Sequence, residues 1–194
     1  MSVNLLPEDI LNKYSVYEWH HATSILYCDF KTEFDEIISV LRDFKLTKSD
    51  ILENGGRKSP IAKKLDSNFY KMNWKEKWFN VKISIDDINV DIPTHGIDCY
   101  KNRIGLEVEW NNKDPFFDRD LNNFRLLFDL KALSVGVIIT RCSELQNIFK
   151  SLGKGSSYGS STTHMGKLLP KIESGSSGGC PILVFGISEN NYTE

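Results

Sequence analysis

Residues 96–110 read Gly-Ile-Asp-Cys-Tyr-Lys-Asn-Arg-Ile-Gly-Leu-Glu-Val-Glu-Trp, which sets carboxylates at Asp98, Glu107 and Glu109. Side chains two apart on a β-strand leave from one face, so Glu107 and Glu109 point together while Leu106 and Val108 turn toward the core. If Asn102 and Arg103 make a tight hairpin turn, residue 101 pairs with 104 and Asp98 stands opposite Glu107. Like charges facing each other across a strand pair are destabilising, and at ~4 Å they repel by about 4 kcal/mol at an effective dielectric near 20. A hard divalent cation relieves that repulsion. Mg²⁺ takes oxygen from one or two carboxylates and keeps waters and substrate phosphate oxygens for its other positions. The competing reading is an exposed sheet face with scattered acids, since Asp86, Asp87 and Asp91 lie nearby in the chain.

The elements that must hold these residues alternate in type. Tyr14 to Trp19 reads as a strand, and Phe34, Ile37, Ile38 and Leu41 follow the i, i+3, i+4, i+7 spacing of an amphipathic helix. A loop is expected around Asn54, Gly55 and Gly56, then a basic helix over 59–72 with Ser59 as N-cap and Pro60 at the first helical position. From Trp78 onward Val81, Ile83 and Ile85 alternate with polar residues as a strand, and further strands span 97–101 and 104–110. Asp114 and Pro115 open a helix whose Phe117, Leu121, Phe124 and Phe128 share one face. Val135 to Thr140 is an apolar β-branched run of the kind buried in a sheet. Ser143 and Gln146 have capping-box spacing for the next helix, which Gly153 ends. After a polar loop over 154–164, residues 165–172 read as helical and 181–187 as a last buried strand. The expected fold class is α/β, with a central mixed β-sheet flanked by helices in one domain spanning residues 1–194.

Composition agrees with that frame. The chain has 194 residues, 40% hydrophobic and 26% charged, enough for one domain with a sizeable core. The formal net charge of −2 announces no polyanion partner, but Arg57, Lys58, Lys63, Lys64, Lys71, Lys75, Lys77 and Lys82 concentrate positive charge in one stretch. The four cysteines, Cys28, Cys99, Cys142 and Cys180, are far apart with no C-x-x-C pair, against a zinc site and against a secreted disulfide framework. With no long apolar run and no signal-peptide pattern at the start, a soluble cytoplasmic protein is expected, with no membrane partner. Gly153-Lys154-Gly155-Ser156 lacks phosphate-loop spacing and follows a helix, not a strand. His20 and His21 are adjacent and would face opposite ways on a strand; His95 sits in a loop beside Gly96, and Trp74, Trp78 and Trp110 suit packing better than base stacking.

The pattern Ile97-Asp98-x-Tyr100-Lys101, then Glu107-x-Glu109, then an amphipathic helix and an apolar strand, resembles the BamHI, BglII and BstYI group of type II restriction endonucleases, which have the PD-(D/E)xK nuclease fold. The resemblance extends to Ser59-Pro60-Ile61, to Asn73 through Lys77 and to Pro181 through Gly186, and covers roughly residues 57–187. It is nearest to BamHI and implies a compact enzyme of the same specificity. By that resemblance Asp98 and Glu107 are Mg²⁺ ligands, joined by the carbonyl of Val108. Glu109 takes the place where most of the superfamily has lysine, as a base for water or a second metal ligand, and Glu76 matches an additional metal-site acid. The implied reaction is in-line hydrolysis of a phosphodiester with one or two Mg²⁺ per subunit.

The same resemblance implies a homodimer on double-stranded DNA, because a palindromic site and a two-fold axis match. Base reading then falls to Asn111, Asn112, Lys113, Asp118 and Arg119. It falls also to the loop carrying Lys154, Ser156, Ser157, Tyr158, Ser160, Ser161, Thr162, Thr163 and His164, with Arg57, Lys58 and Lys63 as further DNA contacts. A GATC-centred palindrome is the family expectation, GGATCC first and AGATCT or RGATCY behind it; this loop lacks the adjacent Asp-Arg pair of BamHI, which bears on the outer base pair. A structure-specific or repair nuclease of the same fold, or a DNA-binding module without catalysis, are the other readings.

Overall fold

The structure is a computed structural model, and it describes residues 2–53 and 58–194. The expected loop at Asn54, Gly55 and Gly56, and the expected DNA contact Arg57, lie outside the described residues. Along the chain run α1 (Glu8–Lys13), β1 (Tyr14–Trp19), α2 (Ala22–Asp29), α3 (Lys31–Asp43), β2 (Leu46–Thr47), α4 (Lys48–Leu52) and α5 (Pro60–Lys71). They are followed by β3 (Lys75–Lys77), β4 (Val81–Ile85), β5 (Ile88–Ile92), β6 (Ile97–Lys101), β7 (Ile104–Val108) and α6 (Pro115–Asp129). Then come β8 (Val135–Arg141), α7 (Gln146–Ser151), α8 (Met165–Glu173), β9 (Ile182–Ile187) and β10 (Tyr192–Thr193).

Six strands form one mixed sheet in the order β1-β9-β8-β7-β6-β3. The three central strands β9, β8 and β7 are parallel, β1 and β6 flank them antiparallel, and β3 pairs antiparallel with β6 at the edge. Parallel strands need crossovers that place helices on the sheet faces, so they are apolar on both sides, as the unbroken burial of β8 and β9 shows. One face carries Leu106, Val108, Val137, Ile139, Leu183 and Phe185 against the amphipathic helix α3 and the apolar stripe of α5. The other carries Ile138, Ile182 and Val184 against Phe117, Leu121 and Phe124 of α6 and Leu168 and Ile172 of α8. The expected mixed α/β sheet flanked by helices is therefore the fold.

Local signals hold where nothing else competes for the side chain. Ser59 caps α5 by accepting from the Ala62 N–H at 3.1 Å, with Pro60 at the first position. Two expected caps do not form. Asp114 makes no cap to α6; it pairs with Lys167 at 3.5 Å, and its N–H donates to Ser161 O at 3.1 Å. Ser143 and Gln146 form no capping box: the Ser143 hydroxyl meets His164 Nδ1 at 3.0 Å, and Gln146 Nε2 donates to Gly155 O at 2.9 Å. The side chains of Ser143 and Gln146 are taken by the loop at 154–164, and that of Asp114 by α8 just beyond it. The strand expected from Trp78 begins at Val81 and pairs only with β5, as a two-stranded sheet apart from the main one.

Gly136 in β8 lets α6 approach closely. A Cβ there would stand 2.5 Å from Phe124 Cδ2 and 2.9 Å from Ile182 Cδ1. Gly136→Ala is therefore expected to lower stability by about 1–3 kcal/mol through overpacking. Urea unfolding of variant and parent checks this, and equal midpoints would show that the helix does not sit this tightly on the sheet.

Candidate active site

The hairpin that joins β6 to β7 turns at Asn102 and Arg103, whose φ angles of 44° and 67° are the left-handed pair of a type I′ turn. Its register pairs Cys99 with Leu106, Tyr100 with Gly105 and Lys101 with Ile104, so Asp98 and Glu107 are the next residues along the two strands. The Asp98 N–H donates to Glu107 Oε2 at 3.3 Å. Glu109 follows the last residue of β7, and its N–H donates to Ile139 O at 2.9 Å, extending the strand path alongside β8. Glu107 and Glu109 are both only 2% exposed, on the sheet face covered by α6.

There they meet Asp120, 1% exposed on α6, which the sequence reading missed. The signal was present, because Asp120 falls between Phe117 and Phe124 on the helix's apolar stripe, where a carboxylate has no packing reason to stand. Arg119 Nη2 reaches Asp120 Oδ1 at 3.0 Å and Glu109 Oε1 at 3.7 Å, and Asn112 Nδ2 donates to Glu109 Oε2 at 2.7 Å. Burial, reinforced by Asp120, Asp98 and Glu109, raises the pKa of Glu107 well above the ordinary carboxylate value. Burial and then Asp120 likewise push Glu109 well up. Burial raises Asp120 to about 6, with Arg119 pulling the other way.

In front of these acids lies a cleft of about 630 Å³, lined by Lys58, Ser59, Ala62, Lys63, Glu76, Asp98, Val108, Glu109, Trp110, Asn112, Phe116 and Arg119. It thus gathers expected metal-site residues (Glu76, Asp98, Val108 and Glu109) and expected DNA contacts (Lys58, Lys63, Asn112 and Arg119) from β3, β6, β7, α5, α6 and the segments just before α5 and between β7 and α6. Glu107 sits behind the cleft rather than on its wall. Glu76 is exposed on the edge strand and accepts from Trp78 Nε1 at 3.2 Å. Lys58 bridges two acids: it pairs closely with the buried Asp66 and stands 3.4 Å from Asp98 Oδ1. Burial lifts the Asp66 carboxyl to about 6. Like Asp120, Asp66 occupies the apolar stripe of its helix, beside Leu65 and Phe69.

Other expected DNA contacts divide by burial. Ser156, Ser157, Ser160 and Ser161 are exposed on the loop, while Lys154, Thr162 and His164 are half-buried. Tyr158 and Thr163 are buried and hold the loop in place. The Tyr158 ring stacks on Phe149 with centroids 4.0 Å apart, and Thr163 Oγ1 donates to Glu109 O at 3.3 Å and accepts the Asn112 N–H at 3.1 Å. Lys113 bridges to Thr162, Asn111 lines a smaller cleft with Lys154 and Ser157, and Asp118 pairs with Lys171 of α8 at 2.7 Å.

Among the described residues no three His, Cys, Asp or Glu side chains close into a metal cage. The donor set is an open one. Asp98, Glu107 and the Val108 carbonyl are hard oxygens beside a cleft, and the Glu107 carboxylate is buried among negative neighbours, which suits a cation that keeps part of its water. The family model for restriction endonuclease BglII/BglIII matches residues 14–187. The chain belongs to this family. A comparison with curated proteins finds no match. The family match begins at β1, so the restriction-endonuclease domain spans the whole six-stranded sheet, and it makes the chain a nuclease acting on DNA. Among its described residues no helix is long and apolar enough to cross a membrane.

These carboxyls give the free enzyme a recognisable pH response. Asp66 and Asp120 move from 3.8 to about 6, so between about pH 4 and pH 6 the folded protein keeps protons that the unfolded chain has released. Stability then falls as pH rises through that window. With EDTA present the thermal midpoint is expected to drop over about pH 4–6, and Mg²⁺ added at the upper end to recover it. Scanning calorimetry reads this directly; a midpoint that climbs across the window would mean the acids are not held together in this way.

Proposed function

We propose that the chain is a type II site-specific endonuclease that acts as a homodimer and, with Mg²⁺, cuts both strands of double-stranded DNA at a GATC-centred palindrome, GGATCC before AGATCT or RGATCY. One observation carries the reading. Buried carboxylates converge behind a cleft rimmed by Lys58, Lys63 and Arg119, so a negative centre that suits a cation lies inside a positive margin that suits a phosphodiester.

Asp98, Glu107 and the Val108 carbonyl are the residues that would hold the ion, with Glu76 as a further acid at the edge of the cleft. When bound, Mg²⁺ would lower the pKa of water and neutralise charge on the leaving oxygen. The protein's own groups supply the rest. Glu109, oriented by Asn112 and Arg119, is the acceptor for a proton of the attacking water. Lys58 and Lys63 hold the scissile strand by its phosphates, and Arg119 can exchange its carboxylate partners for DNA as a cation neutralises them. Glu109 in the place of the usual lysine leaves the site without that cation, which a second Mg²⁺ would replace. The serines of the 154–164 loop and Asn111 and Lys113 are the base-reading set, in a cytoplasmic enzyme that meets invading DNA.

Incubation with unmethylated phage DNA is expected to yield discrete bands with Mg²⁺ and none with chelator, and cloned ends are expected to share a GATC core. A smear of heterogeneous ends, or cutting confined to branched substrates, would refute sequence-specific cleavage. The double substitution Asp98→Ala, Glu107→Ala is expected to reduce cutting by at least about 10³-fold, on the scale of losing electrostatic transition-state stabilisation, while duplex binding persists. Undiminished cutting by that variant would remove the assignment of the ligands.

A further inference from the structure

Arg141 ends β8 at the carboxyl edge of the sheet, one residue beyond Thr140, whose hydroxyl donates to Glu109 O at 2.8 Å. It is 1% exposed, yet none of the ion pairs among the described residues includes it. Its Nη2 donates to Thr162 Oγ1 at 2.9 Å and to Tyr158 O at 3.3 Å, while its buried Nε finds no partner among the described residues. The guanidinium lies over the Phe149 and Tyr158 rings, 5.4 and 6.0 Å from their centroids. Stacking of this kind recovers only part of what desolvation costs, and buried charges in folded proteins are ordinarily paired. A cation so placed is short of an anion.

The surroundings are built to receive one. Arg141 lines a pocket of about 330 Å³ together with Ser143, Gln146, Lys150, Gly159, Ser160 and His164. All the other side chains there are polar or cationic and none is a carboxylate; Glu144, the neighbouring acid in the chain, is exposed and outside the lining. Two contacts already described, Ser143 with His164 and Gln146 with Gly155 O, brace the two sides of the pocket. One wall belongs to the loop that also holds Glu109 and Asn112 through Thr163.

We propose that this pocket takes one backbone phosphate of the bound DNA duplex, with Arg141 as its main partner and Lys150 at the rim. Guanidinium geometry matches a phosphate bidentately, and the hydroxyls and amide can complete the shell around it. The occupant is a phosphate rather than a base edge because the site is a recess beneath the loop whose unmet need is negative charge. The contact positions the duplex and carries no sequence information of its own. Since Arg141 grips Tyr158 O and Thr162, and Thr163 next to Thr162 grips Glu109, a phosphate here clamps the loop to the catalytic strand in the DNA complex. The proposal rests on the reading of the chain as a DNA endonuclease.

Fluorescence anisotropy with EDTA, on a GATC-palindrome duplex and a scrambled duplex, tests it in the full chain. Lys150→Ala and Arg141→Gln are expected to weaken both duplexes by a similar factor and to make the slope of log affinity against log salt shallower by about one unit. Arg141→Lys, which keeps the charge, is expected to hold the parent slope. Because Arg141→Gln changes a buried residue, Lys150→Ala, at an exposed position, carries the test if that variant does not fold. A duplex with a single methylphosphonate, moved along the backbone, is expected to bind the parent weakly at one position where the variants are indifferent. Parent slope in Lys150→Ala with no such position overturns the proposal, as does loss confined to the palindrome, which would indicate a base contact. Inorganic phosphate binding that depends on Arg141, with duplex binding unchanged, would assign the pocket to a free anion and also overturn it. Failure of the parent to bind any duplex sinks the endonuclease reading itself.

Discussion

Mutual repulsion among buried carboxylates is the constraint around which this molecule is organised. Asp98 and Glu107 come from facing positions of one hairpin, Glu109 from the end of its second strand, and Asp120 from the helix packed over it. Each desolvated acid raises the cost of ionising the next, so the cluster exists only because the rest of the fold holds it together. The apolar central strands β7, β8 and β9, sealed on both faces, supply that support. Arg119 and Lys58 soften the repulsion at the margins without cancelling it, since both stand at the cleft wall rather than among the most buried acids. A site strained in this direction is suited to a divalent cation, which meets several carboxylates at once.

The polar loop at 154–164 is bound to that site more tightly than its glycine and serine content suggests. The Thr163 N–H donates to Asn112 O at 2.8 Å, Thr163 Oγ1 reaches the Glu109 carbonyl, and the Asp114 N–H meets Ser161 O. Helix caps that local rules would form are given up at Asp114, Ser143 and Gln146, whose side chains instead meet partners in or just beyond the same loop. The exchange has a structural logic. A capping hydrogen bond contributes about 1 kcal/mol wherever a helix begins, whereas these contacts fix the distance between a candidate DNA-reading segment and the strand that carries Glu109. Position of the loop and position of the acid are thereby one variable.

Much of the fold was legible in the chain because its signals are local. The bounds of β1 and of β6, the α5 cap at Ser59, the buried strand that begins at Val135 and the turn at Asn102-Arg103 all follow from periodicity or turn chemistry within a few residues. The caps at Asp114 and Ser143 were misread for the opposite reason, since the groups that claim those side chains lie some twenty residues or more further along the chain.

Where the sequence alone was decisive was in the pairing of acids. Alternation along a strand and a two-residue turn leave no freedom about which side Glu107 takes or that Asp98 faces it. What only tertiary structure decided was the company those acids keep: Asp120 and Arg119 delivered by α6, Lys58 and Asp66 by α5 and the residues before it, Thr163 by a loop far along the chain, and Arg141 buried without a counter-ion among the described residues. Such contacts join segments whose order in the chain says nothing about their distance. They are set by which apolar faces pack together, and the polar groups arrive where that packing carries them.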